Sequence, residues 1–117
     1  MTYDPTNVFA RILAKEIPAE ILHEDDRCLA FRDVSPQAPV HLLVIPKRPI
    51  ARLADAQRDD RDMLGHLLVT AAELARSQGF AEDGFRIVVN SGERAGQSVF
   101  HLHVHVLAGR DMAWPPG

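Results

Sequence analysis

The apolar positions of this chain change period several times, and each change marks an element. Near the start, Phe9, Ile12 and Leu13 recur at helical spacing. Asp4-Pro5 ahead of them reads as a helix start, a capping carboxylate followed by proline at the first helical position, and Pro18 closes the segment. The pattern leaves open whether Phe9 and Ile12 serve the core or touch a ligand. Two short strands are predicted near 20–24 and 28–33, divided by the turn-forming Asp25-Asp26. Asp33 then leads into Val34-Ser35-Pro36-Gln37-Ala38-Pro39, a proline-punctuated loop in which a lone carboxylate reads first as a turn residue. His41-Leu-Leu-Val-Ile-Pro46 is a continuous apolar run of strand length, hence a buried strand. His41 at its mouth is either a site imidazole or a capping residue.

From about 59 to 78 the period becomes helical again. Met63, Leu64, Leu67, Leu68, Ala71, Leu74 and Ala75 form one stripe that should pack on the sheet, and Gly79 supplies the stop. Residues 85–90 follow as a strand with Phe85, Ile87 and Val89 on one face, and 90–98 join it to the last strand as a hairpin. The order α, β, β, β, α, β, β predicts an α+β fold: a five-stranded antiparallel sheet with one short and one long helix. No repeat, linker or low-complexity stretch divides the chain, so residues 1–117 read as one domain with a tail from 109.

The last strand changes the picture. In Ser98-Val-Phe-His-Leu-His-Val-His-Val-Leu107, three histidines alternate with apolar residues. Side chains two apart on a strand share a face. His101, His103 and His105 should therefore form one row, with Phe100, Leu102, Val104 and Val106 turned to the core. A merely solvated face would draw on Thr, Lys and Glu as well. A metal site is not expected in the row, because strand rise separates its outer members by roughly 13 Å, whereas a Zn–N bond is about 2 Å. Cys28 is the only cysteine, and no second cysteine or HExxH run completes a ligand set. No metal and no cofactor is predicted.

Composition sets limits without adding chemistry. The chain has 46% apolar and 25% charged residues, ordinary for a soluble globular protein. Its net charge of −3 gives no electrostatic reason to expect nucleic acid. A lone cysteine excludes an internal disulfide and fits a reducing compartment. The opening Met1-Thr-Tyr-Asp-Pro lacks a basic-then-apolar segment, and no stretch is long enough to span a bilayer, so a cytoplasmic protein without membrane contact is expected. His23 and His66 follow no pattern and read as structural or exposed.

Gly92 and Gly96 stand just before the imidazole row. They suggest a concavity of backbone N–H groups able to hold phosphate oxygens, with the Ser98 hydroxyl beside it. Neutral imidazole is a nucleophile, and its ordinary pKa of about 6.5 leaves it largely neutral at pH 7. It can attack phosphorus and form a covalent intermediate while its neighbours move protons. The row and the loop together point to phosphoryl or nucleotidyl transfer without a metal.

His101-Leu-His103-Val-His105-Val-Leu107 matches the motif of the histidine triad (HIT) family, which the sequence resembles over nearly its whole length. Glu24-Asp-Asp-Arg-Cys-Leu-Ala-Phe31, Ser35-Pro-Gln-Ala-Pro39, Gly96-Gln-Ser-Val99 and Trp114-Pro-Pro-Gly117 are similar to its Hint branch. Ala108-Gly109 departs mildly from the Gly-Gly usual there, and from the Pro-Arg of the dinucleoside-polyphosphate (Fhit) branch. The resemblance implies a purine nucleoside phosphoramidase in which His103 is the nucleophile. It also implies that His105 contacts the α-phosphate or leaving group, and that His101 and His41 complete a relay. It places Asp33 on the ribose, Val8, Phe9, Ile12, Phe31 and Val34 around the base, and Asn90, Gly96, Gln97 and Ser98 at ribose and phosphate. A homodimer with a continuous sheet is also implied, in which Trp114 of the tail influences substrate choice.

Overall fold

A computed structural model describes residues 1–117. The buried run 41–46 is its centre. It forms strand β3 (Val40–Pro46), flanked on one side by β2 (Cys28–Arg32) and β1 (Ile21–Glu24), and on the other by β5 (Val104–Ala108) and β4 (Phe85–Val88). All four neighbouring pairs are antiparallel. A short helix, α1 (Val8–Leu13), and a long one, α2 (Arg61–Ser77), complete the predicted α+β architecture.

The helices cover opposite faces of the sheet. Cys28 and Ala30 of β2, Leu42 and Val44 of β3, and Val104 and Val106 of β5 join Leu67, Ala71 and Leu74 of α2 in the larger core. The intervening residues Leu29, Phe31, Leu43 and Ile45 pack with Phe9 and Ile12 of α1 in a smaller one. β2 and β3 therefore have no solvent face, which is why their sequences run apolar rather than alternating.

Several local expectations shift. The helix cap is Asn7, whose side chain accepts the Ala10 N–H, while Asp4 caps an earlier turn through Thr6. Pro18 does not close α1. The chain turns at Lys15, in the left-handed region at φ 63°, with Glu16 N–H bonding Arg11 C=O and Lys15 N–H bonding Ile12 C=O. α2 ends as predicted through Gly79, at φ 85°. Within its stripe Leu68 is half exposed and Thr70 is buried instead. Phe100 stays outside the larger core, half-buried, and lines a surface groove together with the N-terminal residues Met1 and Thr2.

The sharpest difference is at the imidazole row. β5 begins only at Val104, so His101 and His103 precede the strand. Continuing the register Val44↔Val104 would set Leu102 opposite Pro46. Pro46 has no N–H for a ladder bond. The Leu102 N–H turns instead to the Ile50 carbonyl at 2.7 Å.

Asp25 ties the β1–β2 turn to α2. Its Oδ1 accepts the N–H groups of Arg27 and Cys28, and its Oδ2 lies 2.7 Å from Nε2 of both His23 and His66. Burial would raise this carboxyl, but hydrogen bonds from His23, Arg27, His66 and Cys28 drive it well below the usual carboxylate range. His23 and His66 are thus structural, and neither is freely exposed. Leu67, fully buried under the sheet, offers a test of the main layer. Leu67→Ala should cost about 2–5 kcal/mol of unfolding free energy, read from urea denaturation.

Candidate active site

Odd-numbered residues of β3 point to the α1 side, and so do the imidazoles. His41, at the start of β3, sits beside His105 of β5 with ring centroids 5.1 Å apart. His103 follows at 4.9 Å from His105, and the edge of Phe9 packs 5.0 Å from His103. Above them opens a cavity of about 310 Å³. Val8, Phe9 and Ile12 of α1 line it together with Phe31, Asp33, Val34, Ser98, His103 and His105.

Hydrogen bonds fix which ring nitrogen carries each proton. A backbone amide can only donate, so the Gln37 N–H at 2.9 Å makes His41 Nδ1 an acceptor. The His41 proton is then on Nε2 and is donated to His105 Nδ1 at 2.9 Å, with Asp33 Oδ2 3.4 Å from the same nitrogen. His105 is left with its proton on Nε2. A second relay runs through His101. The Pro46 carbonyl, 2.8 Å from His101 Nε2, can only accept, so that nitrogen donates and Nδ1 accepts from the Tyr3 hydroxyl at 2.6 Å. His103 Nδ1–H donates to the His101 carbonyl at 2.8 Å. This leaves a lone pair on His103 Nε2. The two rings that face the cavity therefore present complementary groups, a nucleophilic nitrogen and a proton donor.

Burial is the first cause of a lowered pKa in all four rings. In His101 it acts against the Pro46 carbonyl and with the neighbouring His103, and in His103 it acts against the His101 carbonyl and Asp33. For His41 it outweighs the attraction of Asp33. His105 is pushed down to about 4 by burial and by repulsion from His103 and His41, which Asp33 only partly offsets. The row is neutral at pH 7, the form in which imidazole is nucleophilic.

The remaining expected residues lie elsewhere. His101 is buried and His41 stands behind His105, so neither lines the cavity. Gln97 is buried with its side chain committed to Gly92 N–H, Ala51 C=O and Val99 C=O, which makes it a staple of its loop. The expected concavity of N–H groups is not formed. Gly92 N–H bonds Gln97, and the N–H groups of Ala95, Gly96 and Gln97 close a 3₁₀ turn on Gly92 and Glu93. Gly92 and Gly96 are still needed there, at φ 96° and 93°. Asn90 is half-buried and Gly96 exposed, both outside the cavity lining. Trp114 is exposed, with the Arg86 guanidinium 6.0 Å from its ring, and does not line the cavity of its own chain.

Tyr3 and Gln37 orient the rings and were not legible in the sequence, nor was the contribution of Ile17, Pro18 and Ala19 to the cavity wall. Leu43 also lines it, and its period-two relation to His41 would have found it.

Relays of neutral histidine that end in one nucleophilic and one proton-donating nitrogen beside an apolar cavity define a site for covalent catalysis at an electrophile such as phosphorus. The family model of the HIT domain matches residues 14–112, and the chain belongs to the HIT family. It is 56% identical over 110 residues to an uncharacterized HIT-like protein of Synechococcus elongatus, covering 94% of this chain and 96% of that protein. It is 50% identical over 116 residues to the adenylylsulfatase HINT1 of Arabidopsis thaliana, covering 97% and 78%. Among solved structures, a HIT family hydrolase from Legionella pneumophila superposes with a TM-score of 0.93 at 47% identity, over 96% of this chain and all of that one. A histidine triad protein from Clostridium difficile gives 0.90 at 39% identity, over 96% and 97%.

Two outcomes follow from the relays. All four folded pKa values lie below the unfolded imidazole's 6.5, so the unfolded chain takes up protons first as the solution is acidified. Stability should be full above pH 6.5 and fall steadily from there to about 4 and below, as followed by thermal melts across that range. Tyr3→Phe keeps the ring against His101 and removes only the donor. It should lower kcat about fivefold, the worth of one hydrogen bond of about 1 kcal/mol, with KM unchanged. An effect on KM alone would place Tyr3 outside the relay.

Proposed function

We propose that the cavity binds a purine nucleoside monophosphate unit and that the protein hydrolyses nucleoside phosphoramidates, releasing AMP or a related nucleotide. The observation that carries this reading is the pair of cavity-facing nitrogens, a lone pair on His103 Nε2 and a proton on His105 Nε2, with ring centroids 4.9 Å apart. The cavity volume of about 310 Å³ suits one nucleotide and lies at the small end of ligand sites. In this reading Val8, Phe9, Ile12, Phe31 and Val34 hold the base, Asp33 accepts the ribose hydroxyls, and Ser98 donates to phosphate. Asn90, Gly96 and Gln97 shape the loop that carries Ser98.

His103 Nε2 attacks the α-phosphorus and the P–N bond breaks. The departing amine takes a proton through His105 Nε2, which solvent resupplies so that this ring stays neutral, and the new N–P bond leaves the positive charge on His103. His103 Nδ1–H stays on the His101 carbonyl throughout. Water then attacks phosphorus, its proton returns to solvent by way of His105, and the N–P bond breaks to release the nucleoside monophosphate and neutral His103. Two easier displacements replace one hard one. As in the Hint pattern, the working unit in this reading is a cytoplasmic homodimer whose sheet runs across both subunits. The tail with Trp114 then lies near the partner's cavity.

The name of the Arabidopsis relative favours a second substrate, an adenylyl sulfate, which shares the nucleotidyl-histidine but expels sulfate. Sulfate is a stable anion and needs no proton to leave. The Ala108-Gly109 ending does not match a dinucleoside-polyphosphate hydrolase.

Rapid quenching during turnover of an adenosine phosphoramidate should give a nucleotidyl adduct mapped to His103 by mass spectrometry. His103→Ala should abolish both adduct and turnover while leaving the fold intact. His105→Ala should lower kcat for the phosphoramidate by about 10²–10⁴-fold and for the adenylyl sulfate much less. AMP binding without any adduct or turnover would reduce the protein to a nucleotide-binding module.

A further inference from the structure

On the far side of the sheet from the cavity, side chains from β1, the β1–β2 turn, β2 and α2 converge on one point. We propose that His23, Asp25, Cys28 and His66 form a tetrahedral site for a divalent transition ion of the zinc class, distinct from the imidazole row. Nε2 of His23 and Nε2 of His66 each lie 2.7 Å from Asp25 Oδ2, and Cys28 Sγ lies 3.5 Å from the same oxygen. The donor atoms of His23, Asp25 and Cys28 all lie within 4.8 Å of one another. Bonds of about 2.0–2.3 Å to a tetrahedral zinc set its ligand atoms roughly 3.3–3.6 Å apart. The O–S edge already has that length. The two N–O edges need to open by roughly half an ångström, and the His66 ring, whose nitrogens fall outside the 4.8 Å set formed by the other three donors, must swing inward over the shared centre.

The site has a fixed base and an open front. Asp25 Oδ1 is held by the N–H groups of Arg27 and Cys28 at 2.7 and 2.8 Å, so the backbone aims Oδ2. Cys28 closes the back, fully buried. His23 and His66 keep 35% and 26% of their side-chain surface exposed, and they open onto two grooves along α2. Two nitrogens, one carboxylate oxygen and one thiolate select Zn²⁺ or Co²⁺ over Mg²⁺ or Ca²⁺. On binding, each imidazole proton moves from Nε2 to Nδ1 and the Cys28 thiol releases one proton to solvent. All four positions are then filled by protein, which makes this a structural clamp between the sheet edge and α2 rather than a Lewis acid. The proposal is independent of the reaction assigned to the cavity.

The metal-free full chain should be titrated with Co²⁺ alone and followed by absorbance. Cys28 is the only cysteine, so a thiolate-to-cobalt charge-transfer band has a single possible origin. One equivalent should produce that band in the native chain and in His105→Ala, and Zn²⁺ should displace the Co²⁺ and raise Tm. Cys28→Ser should lose the band. Because a buried serine there could unfold the chain, His23→Gln and His66→Gln, checked for fold by circular dichroism, should each weaken Co²⁺ binding by about tenfold or more. Absence of Co²⁺ binding would overturn the site. So would binding without the band that disappears in His105→Ala, which would put the ion at Asp33, His41 and His105, or a band indifferent to both glutamine variants.

Discussion

Pro46 has no N–H to give to the strand beside it, and the geometry of the imidazole row depends on that gap. With no ladder bond available at that position, the chain before Val104 leaves the sheet. The Pro46 carbonyl is then free for His101 Nε2–H, which in turn makes Nδ1 the acceptor of the Tyr3 hydroxyl. His101 is thereby anchored at both nitrogens, and its own carbonyl holds His103 by Nδ1. The nitrogen left for chemistry is Nε2. A regular strand through residue 101 would have kept the alternation and lost this anchoring.

Burial does the complementary work on charge. A buried imidazolium is costly, and for His105 the two rings beside it, His103 and His41, make it costlier, so the row stays neutral although Asp33 pulls the other way. The six residues of α1 are too few to be stable as an isolated helix. They are held by Phe9 and Ile12, which join the smaller core and wall the cavity at once. The same two side chains therefore answer to both readings that the sequence left open, core and ligand contact.

The two faces of the sheet divide the labour. α2 and its side of β2, β3 and β5 supply most of the apolar burial, while the α1 side carries the rings and the cavity. At the edge of the α2 side, Asp25 gathers two histidines and approaches the one cysteine, using residues that the cavity does not need.

The strands, the long helix and the order of elements were legible in the chain because they follow from backbone periods, which neighbours a few residues apart already express, whereas only His103 and His105 of the three alternating histidines reach the cavity. The glycine loop shows where such reading stops: Gly92 and Gly96 do adopt the conformations glycine allows, yet their N–H groups bond within the loop, a choice fixed by the buried Gln97 side chain. The late start of β5 was set by Pro46 on another strand, the tautomer of His101 by the carbonyl of that same Pro46, 55 residues away, and the partner of His66 by Asp25, 41 residues away. Period and propensity are properties of a segment. Which nitrogen carries a proton, and which side chains meet, are properties of distances between segments, and only the folded chain sets those.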